Sequence, residues 1–138
     1  MNHITERIYI GDKGDQPFSR FTAVLNLAPD LYVLIHEKLE YAAVGLLDGP
    51  GNHISTIVAA VSVLHQLLDR HEAVILVCHG GTGRSGLIAA LYMSVRYDSK
   101  FEKALEIVKA KRPQANPNGE LLKSVEVVIP LLQNLFKQ

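Results

Sequence analysis

The hydrophobic residues of this chain follow two alternating patterns. Short runs rich in apolar and β-branched side chains, bounded by glycine, proline or polar residues, predict strands. These runs cover residues 7–11, 21–27, 41–47 and 73–77. Apolar residues spaced three or four positions apart predict helices. The helical patterns cover residues 54–68, 84–95, 101–108 and 121–135, and a shorter one lies within residues 30–40.

The alternation of strands and helices indicates the fold class. It is typical of an α/β domain with a mostly parallel sheet. We therefore predict a sheet of four or five strands flanked by helices on both faces. At 138 residues, with no linker, repeat or low-complexity tract, the chain is expected to form one domain over residues 1–138. Pro113 should stop the helix before it, and Pro130 should kink or shorten the last helix.

The link between the most apolar strand and the following helix holds the candidate chemistry. Cys78 follows that strand directly, and Gly80, Gly81 and Gly83 lead from it to Arg84 at the helix start. Backbone amides at a helix N-terminus bind anions, and a guanidinium group matches phosphate oxygens. The same positive surroundings favour the thiolate form of a cysteine, which is its nucleophilic form. The loop therefore predicts a nucleophile at the floor of a phosphate cradle.

Other interpretations of this loop fit less well. Gly81, Gly83 and Gly86 have the spacing of a dinucleotide-binding fingerprint, but that site needs an acid about 20 residues later, at the end of another strand. The acids near that distance lie in helical sequence. A Walker A loop requires a lysine where Arg84 stands. A lone cysteine is ordinarily a buried structural residue, but the surrounding glycines and Arg84 favour a chemical role for Cys78.

Charge and cysteine content limit the cellular setting and the partners. The 14 basic and 14 acidic residues cancel, so we expect no nucleic-acid or membrane partner. The single cysteine excludes an internal disulfide, and a reactive thiol fits the reducing cytoplasm. The first residues do not form a signal-peptide pattern, and no apolar run is long enough to span a membrane. We expect a cytoplasmic monomer that works without metal or cofactor.

The segment from Cys78 to Ser85 resembles a known family. It matches the Cys-x5-Arg-Ser/Thr signature of the cysteine-dependent protein tyrosine phosphatases, in their small dual-specificity branch. Four further segments resemble that branch in the same order along the chain. They are Arg-Ile-Tyr-Ile-Gly at 7–11, Val-Leu-Asn-Leu-Ala at 24–28, Asp-Gly-Pro-Gly-Asn at 48–52 and Lys-Arg-Pro-Gln-Ala-Asn-Pro-Asn at 111–118. The resemblance thus covers most of the chain and implies the phosphatase fold.

The resemblance also implies roles for particular residues. Cys78 would attack phosphorus, and Arg84 would bind the phosphate and stabilise the transferring group. The phosphate-binding residues would be His79, Gly80, Gly81, Thr82, Gly83 and Arg84. Asp48 would be the general acid and then the general base, although Asp-Gly-Pro is also ordinary turn sequence. Ser85 would stabilise the departing thiolate, a role compatible with a first-turn serine of the helix.

Two asparagines and a basic run have competing interpretations. Asn52 either orders the loop of the acid or is an ordinary loop residue. Asn118 resembles the family's asparagine near the phosphate loop, but an N-cap of the last helix is the simpler role. We interpret Lys109, Lys111 and Arg112 as solvated surface charge rather than a docking site for a phosphorylated partner.

The chain departs from the family pattern before the nucleophile. The family usually has a histidine there, and this chain has Val77. The departure affects how strongly the surroundings favour the thiolate form of Cys78, and it affects catalysis itself less. The side chain of His79, on the other flank of Cys78, should point away from a bound phosphate.

The implied function is that of a protein phosphatase. It would hydrolyse phosphotyrosine, with phosphoserine and phosphothreonine as further substrates, through a cysteinyl-phosphate intermediate. The alternatives are a phosphatase for inositol, lipid or nucleotide phosphates and a catalytically silent phosphate-binding module. Because the loop between Cys78 and Arg84 contains no lysine, the resemblance favours a phosphorylated protein as the substrate.

Overall fold

The computed structural model of the protein describes residues 1–5, 7–28, 30–79 and 83–137. The strands are β1 (Asn2–His3), β2 (Ile8–Gly11), β3 (Ala23–Asn26), β4 (Glu40–Ala43) and β5 (Val74–Val77). The helices are α1 (Ile54–Arg70), α2 (Gly83–Arg96), α3 (Phe101–Lys111), α4 (Gly119–Leu122) and α5 (Val125–Phe136), with a 3-10 turn η1 at Lys13–Asp15. The predicted α/β class is confirmed.

The five strands form one sheet with the order β1-β2-β5-β3-β4. Only the two-residue strand β1 is antiparallel to its neighbour, and the other three pairings are parallel. The last residues of the parallel strands, which are Gly11, Val77, Asn26 and Ala43, are aligned across the sheet. We call this side the carboxyl edge. The opposite side, where Ile8, Val74, Ala23 and Glu40 begin these strands, is the amino edge.

The central strands are covered on both sides. Every residue of β3 and β5 is buried, which explains why their sequences lack apolar–polar alternation. Helices α1 and α2 contact each other and β5, so they lie on one side of the sheet. Because parallel crossovers are right-handed, the β2–β3 and β3–β4 connections cover the other side. They contribute the buried residues Phe18, Leu31, Val33 and Leu39, and η1 is their only helical turn in the described residues.

The helix predicted within residues 30–40 is wrong. The structure has no helix between Asp30 and Leu39, a segment that it describes completely. Leu31 and Val33 are buried, whereas Tyr32 and Leu34 are exposed. This period of two is that of extended chain, and the apolar residues cover the sheet without helical geometry.

The last predicted helix is divided in two. Helix α4 ends at Leu122, and α5 begins at Val125 after a turn. Pro130 lies inside α5 but does not end it, because the helix continues to Phe136. Pro130 and Glu126 are both exposed, so water can bind the Glu126 carbonyl that the missing proline N–H leaves unpaired.

Arg112 also differs from its prediction as a solvated charge. It is only 3% exposed. Its Nη1 donates to Asn2 Oδ1 at 2.5 Å and to the Ile10 carbonyl at 3.2 Å, and Nη2 lies 3.5 Å from Asp12 Oδ2. Arg112 therefore joins the end of α3 to the first two strands.

Within the described parts of the chain, no helix has both the length and the apolar character needed to cross a bilayer.

Candidate active site

Cys78 lies at the carboxyl edge, directly after β5. It is fully buried and is not part of a disulfide. Its Sγ accepts a hydrogen bond from the Ser85 hydroxyl at 3.2 Å. Ser85 is itself fully buried in the first turn of α2. The strand end and the helix start thus bring a thiol and a hydroxyl donor together, although six residues separate them in the chain.

Arg84 is the second residue of α2 and is only 8% exposed. Its Nη1 donates to the Leu46 carbonyl at 3.0 Å, which links the start of α2 to the chain after β4. Its Nε is buried and has no hydrogen-bond partner among the described residues. A buried cationic donor without a partner is costly. An anion bound beside Arg84 would satisfy it.

Asp48 is exposed and faces the start of α2. Its Oδ1 lies 3.3 Å from the position that a Cβ atom on Gly83 would occupy. The same added Cβ would lie 3.3 Å from Leu121 Cδ1 and 3.4 Å from Pro117 Cα, so a side chain at this position would be crowded. Asp48 therefore lies beside Gly83, at the far end of the loop that begins after Cys78.

Asn52 closes the loop that carries Asp48. Its Oδ1 accepts from the Leu47 amide at 2.8 Å, and its Nδ2 donates to the carbonyls of Leu47 and Gly49 at 2.8 and 3.3 Å. Gly51, inside this loop, has a φ of 99°, a value that glycine adopts without strain. These contacts fix the backbone on both sides of Asp48.

Asn118 caps a helix and also contacts the candidate acid. Its Oδ1 accepts from the Leu121 amide at 3.0 Å and so caps α4. Its Nδ2 lies 3.4 Å from both the carbonyl and Oδ1 of Asp48. The cap contact is thus present, and the same side chain also touches the candidate acid.

His79 is hydrogen-bonded to Asp30 at the rim of the site. Its Nε2 lies 2.8 Å from Asp30 Oδ1, and the side chains of His79 and Asp30 are 47% and 79% exposed. The hydrogen bond from His79 lowers the pKa of Asp30 from its ordinary value of 3.8, and the positive charge of Arg84 acts in the same direction. Asp30 is therefore ionised at neutral pH and lies within the field of the site.

The centre of the predicted phosphate loop, Gly80, Gly81 and Thr82, lies outside the described residues. The expected binding of phosphate by their amides stays a prediction. The structure does give the two ends of the loop, at His79 and at Gly83.

Two residues that shape the site were missed by the sequence interpretation. Asn26 ends β3 in register with Val77 and is 1% exposed. Its Oδ1 accepts from the Ala28 amide at 2.9 Å, and its Nδ2 donates to the Leu31 carbonyl at 3.0 Å. Asp30 lies within the turn that Asn26 holds. The sequence signal for the role of Asn26 was its position at the end of an apolar strand, just before a turn.

Comparison with known protein families identifies the chain. The family model described as the catalytic domain of dual specificity phosphatases matches residues 9–127. This chain belongs to the dual specificity phosphatase family. The match includes every candidate residue from Asp48 to Asn118, and the family is that of a phosphomonoester hydrolase acting on phosphorylated proteins.

Individual relatives of this phosphatase are distant in sequence. Human dual specificity protein phosphatase 22 is 26% identical over 125 residues, which are 86% of this chain and 67% of that protein. Arabidopsis thaliana dual specificity protein phosphatase 1B is 23% identical over 133 residues, 91% of this chain and 80% of that protein. The family assignment therefore depends on the domain as a whole rather than on one near relative.

Solved structures support the fold of this phosphatase. The crystal structure of human DUSP28 superposes with a TM-score of 0.85 over 98% of this chain and 99% of that one, at 16% identity. A mouse putative dual specificity phosphatase, crystallised with zinc tungstate, gives a TM-score of 0.84 over 98% and 89% of the two chains, at 17% identity. The backbone architecture is thus retained where most side chains differ.

Proposed function

We propose that this phosphatase hydrolyses phosphotyrosine, with phosphoserine and phosphothreonine as further substrates, and that Cys78 is its nucleophile. The observation that carries the proposal is the contact between Ser85 Oγ and Cys78 Sγ, made beside a buried arginine with an unpaired Nε. A hydroxyl donor contacts the thiol directly after β5, and the residue before that serine carries a buried guanidinium that can bind an anion. This set of groups suits transfer of a phosphoryl group to sulfur.

In the first step, Cys78 Sγ attacks phosphorus. The S–P bond forms as the P–O bond to the tyrosine or serine oxygen breaks, which leaves a cysteinyl phosphate. Arg84 donates to the phosphoryl oxygens through its Nε, which has no partner among the residues that the structure describes. Its bond to the Leu46 carbonyl keeps the guanidinium oriented while charge develops on the phosphoryl group.

Asp48 supplies the proton that the leaving oxygen needs. Its carboxyl group lies over Gly83, beside the first turn of the helix that carries Arg84. Asn118 touches it from α4, and Asn52 holds the backbone of its loop. An acid held near the leaving oxygen lowers the barrier by general acid catalysis.

In the second step, Asp48 accepts a proton from water, and the water oxygen attacks the cysteinyl phosphate. The S–P bond breaks, inorganic phosphate leaves, and the electron pair returns to Cys78. The Ser85 hydroxyl, 3.2 Å from Sγ, stabilises the departing thiolate by hydrogen bonding. The cycle needs no metal or cofactor, and the same loop serves both steps.

The cellular setting follows from the chemistry of the thiol. A catalytic cysteine must stay reduced, which favours the cytoplasm, where phosphorylated proteins are also found. We place the enzyme there as a monomer that acts on protein substrates rather than on nucleic acid or membrane lipid.

The test is turnover of an aryl phosphate by the wild-type protein and by Cys78→Ser in excess EDTA. We expect the wild-type protein to keep full activity in EDTA and Cys78→Ser to have none. Because Arg84 and the loop are unchanged in Cys78→Ser, the variant should still bind a phosphotyrosine peptide in a calorimetric titration. Residual activity near that of wild type in Cys78→Ser would end the proposed mechanism.

The substrate class is tested with a panel of matched phosphates. Phosphotyrosine, phosphoserine and phosphothreonine peptides of one sequence are compared with an inositol polyphosphate and a nucleotide. We expect the highest kcat/KM for the phosphotyrosine peptide. A higher value for the inositol phosphate or the nucleotide would overturn the protein substrate while leaving the chemistry intact.

A further inference from the structure

We propose that Asp30 is a positioning residue for the phosphate loop. It holds the side chain of His79, the residue after the nucleophile, and so raises the affinity for the substrate phosphate without changing the rate of the chemical steps. The inference rests on the proposed function, because it assigns to Asp30 a share in substrate binding at the same site.

The contact joins two segments that are far apart in sequence. His79 Nε2 and Asp30 Oδ1 are 2.8 Å apart, although 49 positions separate the two residues. A carboxylate can only accept a hydrogen bond, so the imidazole Nε2 carries a proton and donates it. The first residue of the loop is thereby attached to the connection between β3 and β4.

That connection is itself firmly held, which makes it a useful anchor. Asn26 is 1% exposed and ends β3, the strand between β4 and β5. Its side chain bonds the Ala28 amide, the Leu31 carbonyl and the Tyr41 hydroxyl, at 2.9, 3.0 and 3.1 Å. The Leu31 amide also donates to the Ala28 carbonyl at 3.0 Å. Asp30 therefore projects from a turn whose two ends are fixed to the centre of the sheet.

The effect should fall on binding because other contacts hold the catalytic groups. Arg84 is oriented by the Leu46 carbonyl, Asp48 is contacted by Asn118, and Ser85 bonds Cys78 directly. By contrast, His79 opens the loop whose amides are proposed to surround the phosphate. Loss of the Asp30 contact would hold His79 less closely, and a small misplacement of binding groups weakens affinity.

A second effect of Asp30 has the opposite sign. Its carboxylate is negatively charged and close enough to Arg84 to interact with that charge. It would therefore also repel a phosphate dianion bound beside Arg84. If repulsion were the larger effect, removal of Asp30 would tighten binding. The direction of the change in KM therefore decides between anchoring and simple electrostatic repulsion.

The experiment measures kcat and KM for an aryl phosphate, and the inhibition constant of orthovanadate, in four variants. These are Asp30→Ala, Asp30→Asn, His79→Ala and the double variant Asp30→Ala/His79→Ala. We expect Asp30→Ala to raise KM and the vanadate constant by about three- to tenfold, with kcat within about twofold of wild type. Asp30→Asn keeps an acceptor for the His79 N–H and should stay within about twofold of wild type.

The double variant distinguishes anchoring from two separate effects. If the two side chains act only through each other, the double variant should match the single alanine variants rather than multiply their losses. Glu37→Ala removes an exposed acid from the same connection and is the matched control, with kinetics expected to equal those of wild type. Melting temperatures should be unchanged in all variants, since a contact between two exposed polar side chains contributes little to stability.

An unchanged or lower KM in Asp30→Ala would overturn the inference, as would fully multiplicative losses in the double variant. These outcomes differ from failure of the proposed function. If wild-type protein did not turn over aryl phosphate, the function itself would fail. If wild type is active and Asp30→Ala binds vanadate equally well, only the role of Asp30 is wrong.

Discussion

The two edges of the parallel sheet use polar side chains in opposite ways. At the carboxyl edge, Arg84 keeps a buried Nε without a partner among the described residues, and Asp48 is exposed with contacts of 3.4 Å. At the amino edge, Glu40 bonds Arg70 and His71, and His71 bonds Thr22 at 2.8 Å. These polar groups of the amino edge bond each other, whereas Arg84 at the carboxyl edge retains a buried donor that can bind a ligand.

The amino edge also shows how a single arginine can serve the fold. Arg7, just before β2, donates to the carbonyl of Leu68 in the last turn of α1 and to the carbonyls of His71 and Glu72 just after that helix. The last carbonyls of a helix lack intrahelical partners and carry partial negative charge, so a cation there is stabilising. Arg7 and Arg84 thus carry the same guanidinium group. That of Arg7 is hydrogen-bonded to three backbone carbonyls, whereas that of Arg84 has an Nε without a partner in the described residues.

The comparison of these arginines shows that burial and charge alone do not identify a functional one. Arg112 is more buried than Arg84, but its bonds to Asn2 and Ile10 use it within the fold. The distinguishing observation is that the buried Nε of Arg84 has no partner in the described parts of the chain. Native proteins pair nearly all buried polar groups, so an unpaired one calls for a ligand or another explanation.

The largest expected effect concerns Asp48 at the carboxyl edge. Asp48→Asn removes the proton donor, so hydrolysis of an alkyl phosphate should slow by about 10²–10⁴-fold. Hydrolysis of nitrophenyl phosphate should slow much less, because nitrophenolate leaves without full protonation. Rates for both substrates, measured at saturation, provide the test. Asp69→Asn, on the exposed side of α1, is the control. Equal losses for both substrates would instead make Asp48 a structural residue of its turn.

The next effect tests whether the guanidinium of Arg84 binds the phosphate of the substrate. Arg84→Lys keeps a positive charge but loses the planar set of donors, so kcat/KM should fall by about 10²–10³-fold. Its free energy of unfolding should change by less than about 1 kcal/mol, because the guanidinium makes one hydrogen bond to the described residues, which is the bond to the Leu46 carbonyl. Urea unfolding and aryl phosphate turnover give the two values. A large loss of stability with activity retained would mean that Arg84 serves the fold, as Arg7 does.

The matching change at the amino edge should give the reverse result. Arg7→Lys cannot reach three carbonyls at once, so the free energy of unfolding should fall by about 1–2 kcal/mol. The kcat/KM should equal that of wild type, since Arg7 lies at the opposite edge from Cys78. Urea unfolding beside steady-state kinetics measures both. A clear fall in kcat/KM at a temperature where the variant is folded would contradict the separation of the two edges.

The smallest effect is a pH dependence from Glu40. Hydrogen bonds from Arg70 and then His71 lower the pKa of Glu40 to about 2 from its ordinary 4.5. A lowered pKa in the folded state means that the stabilisation is complete above about pH 4.5 and is lost as the pH falls toward 2. Because the Glu40 side chain is 40% exposed, solvent screening limits this stabilisation to less than about 1 kcal/mol.

Glu40→Gln checks this linkage. The difference in unfolding free energy between wild type and the variant should be largest near pH 6 and should shrink by pH 3. Urea unfolding at several pH values measures it. Activity at neutral pH should be unchanged, and a difference independent of pH would show that the charge of Glu40 is not the cause.

The sequence was sufficient for the parts of the molecule that are continuous along the chain. The strand at 74–77, the helix from Gly83 and the positions of Cys78, Arg84 and Ser85 between them all fall within one short segment. Local hydrophobic periodicity and the spacing of glycines decide such a segment, because its geometry depends on neighbours in sequence. The α/β class followed from the same alternation of patterns.

Only the tertiary structure decided the contacts made between distant segments. The apolar spacing within residues 30–40 suited a helix, but the burial of Leu31 and Val33 against the sheet imposed extended chain. The burial of Arg112 depends on Asn2 and Ile10, and the pairing of His79 with Asp30 depends on the turn held by Asn26. These partners lie about 50 to 110 positions apart in the chain. Local propensity carries no information about such pairings, because the free energy that selects them arises only when the sheet brings the segments together.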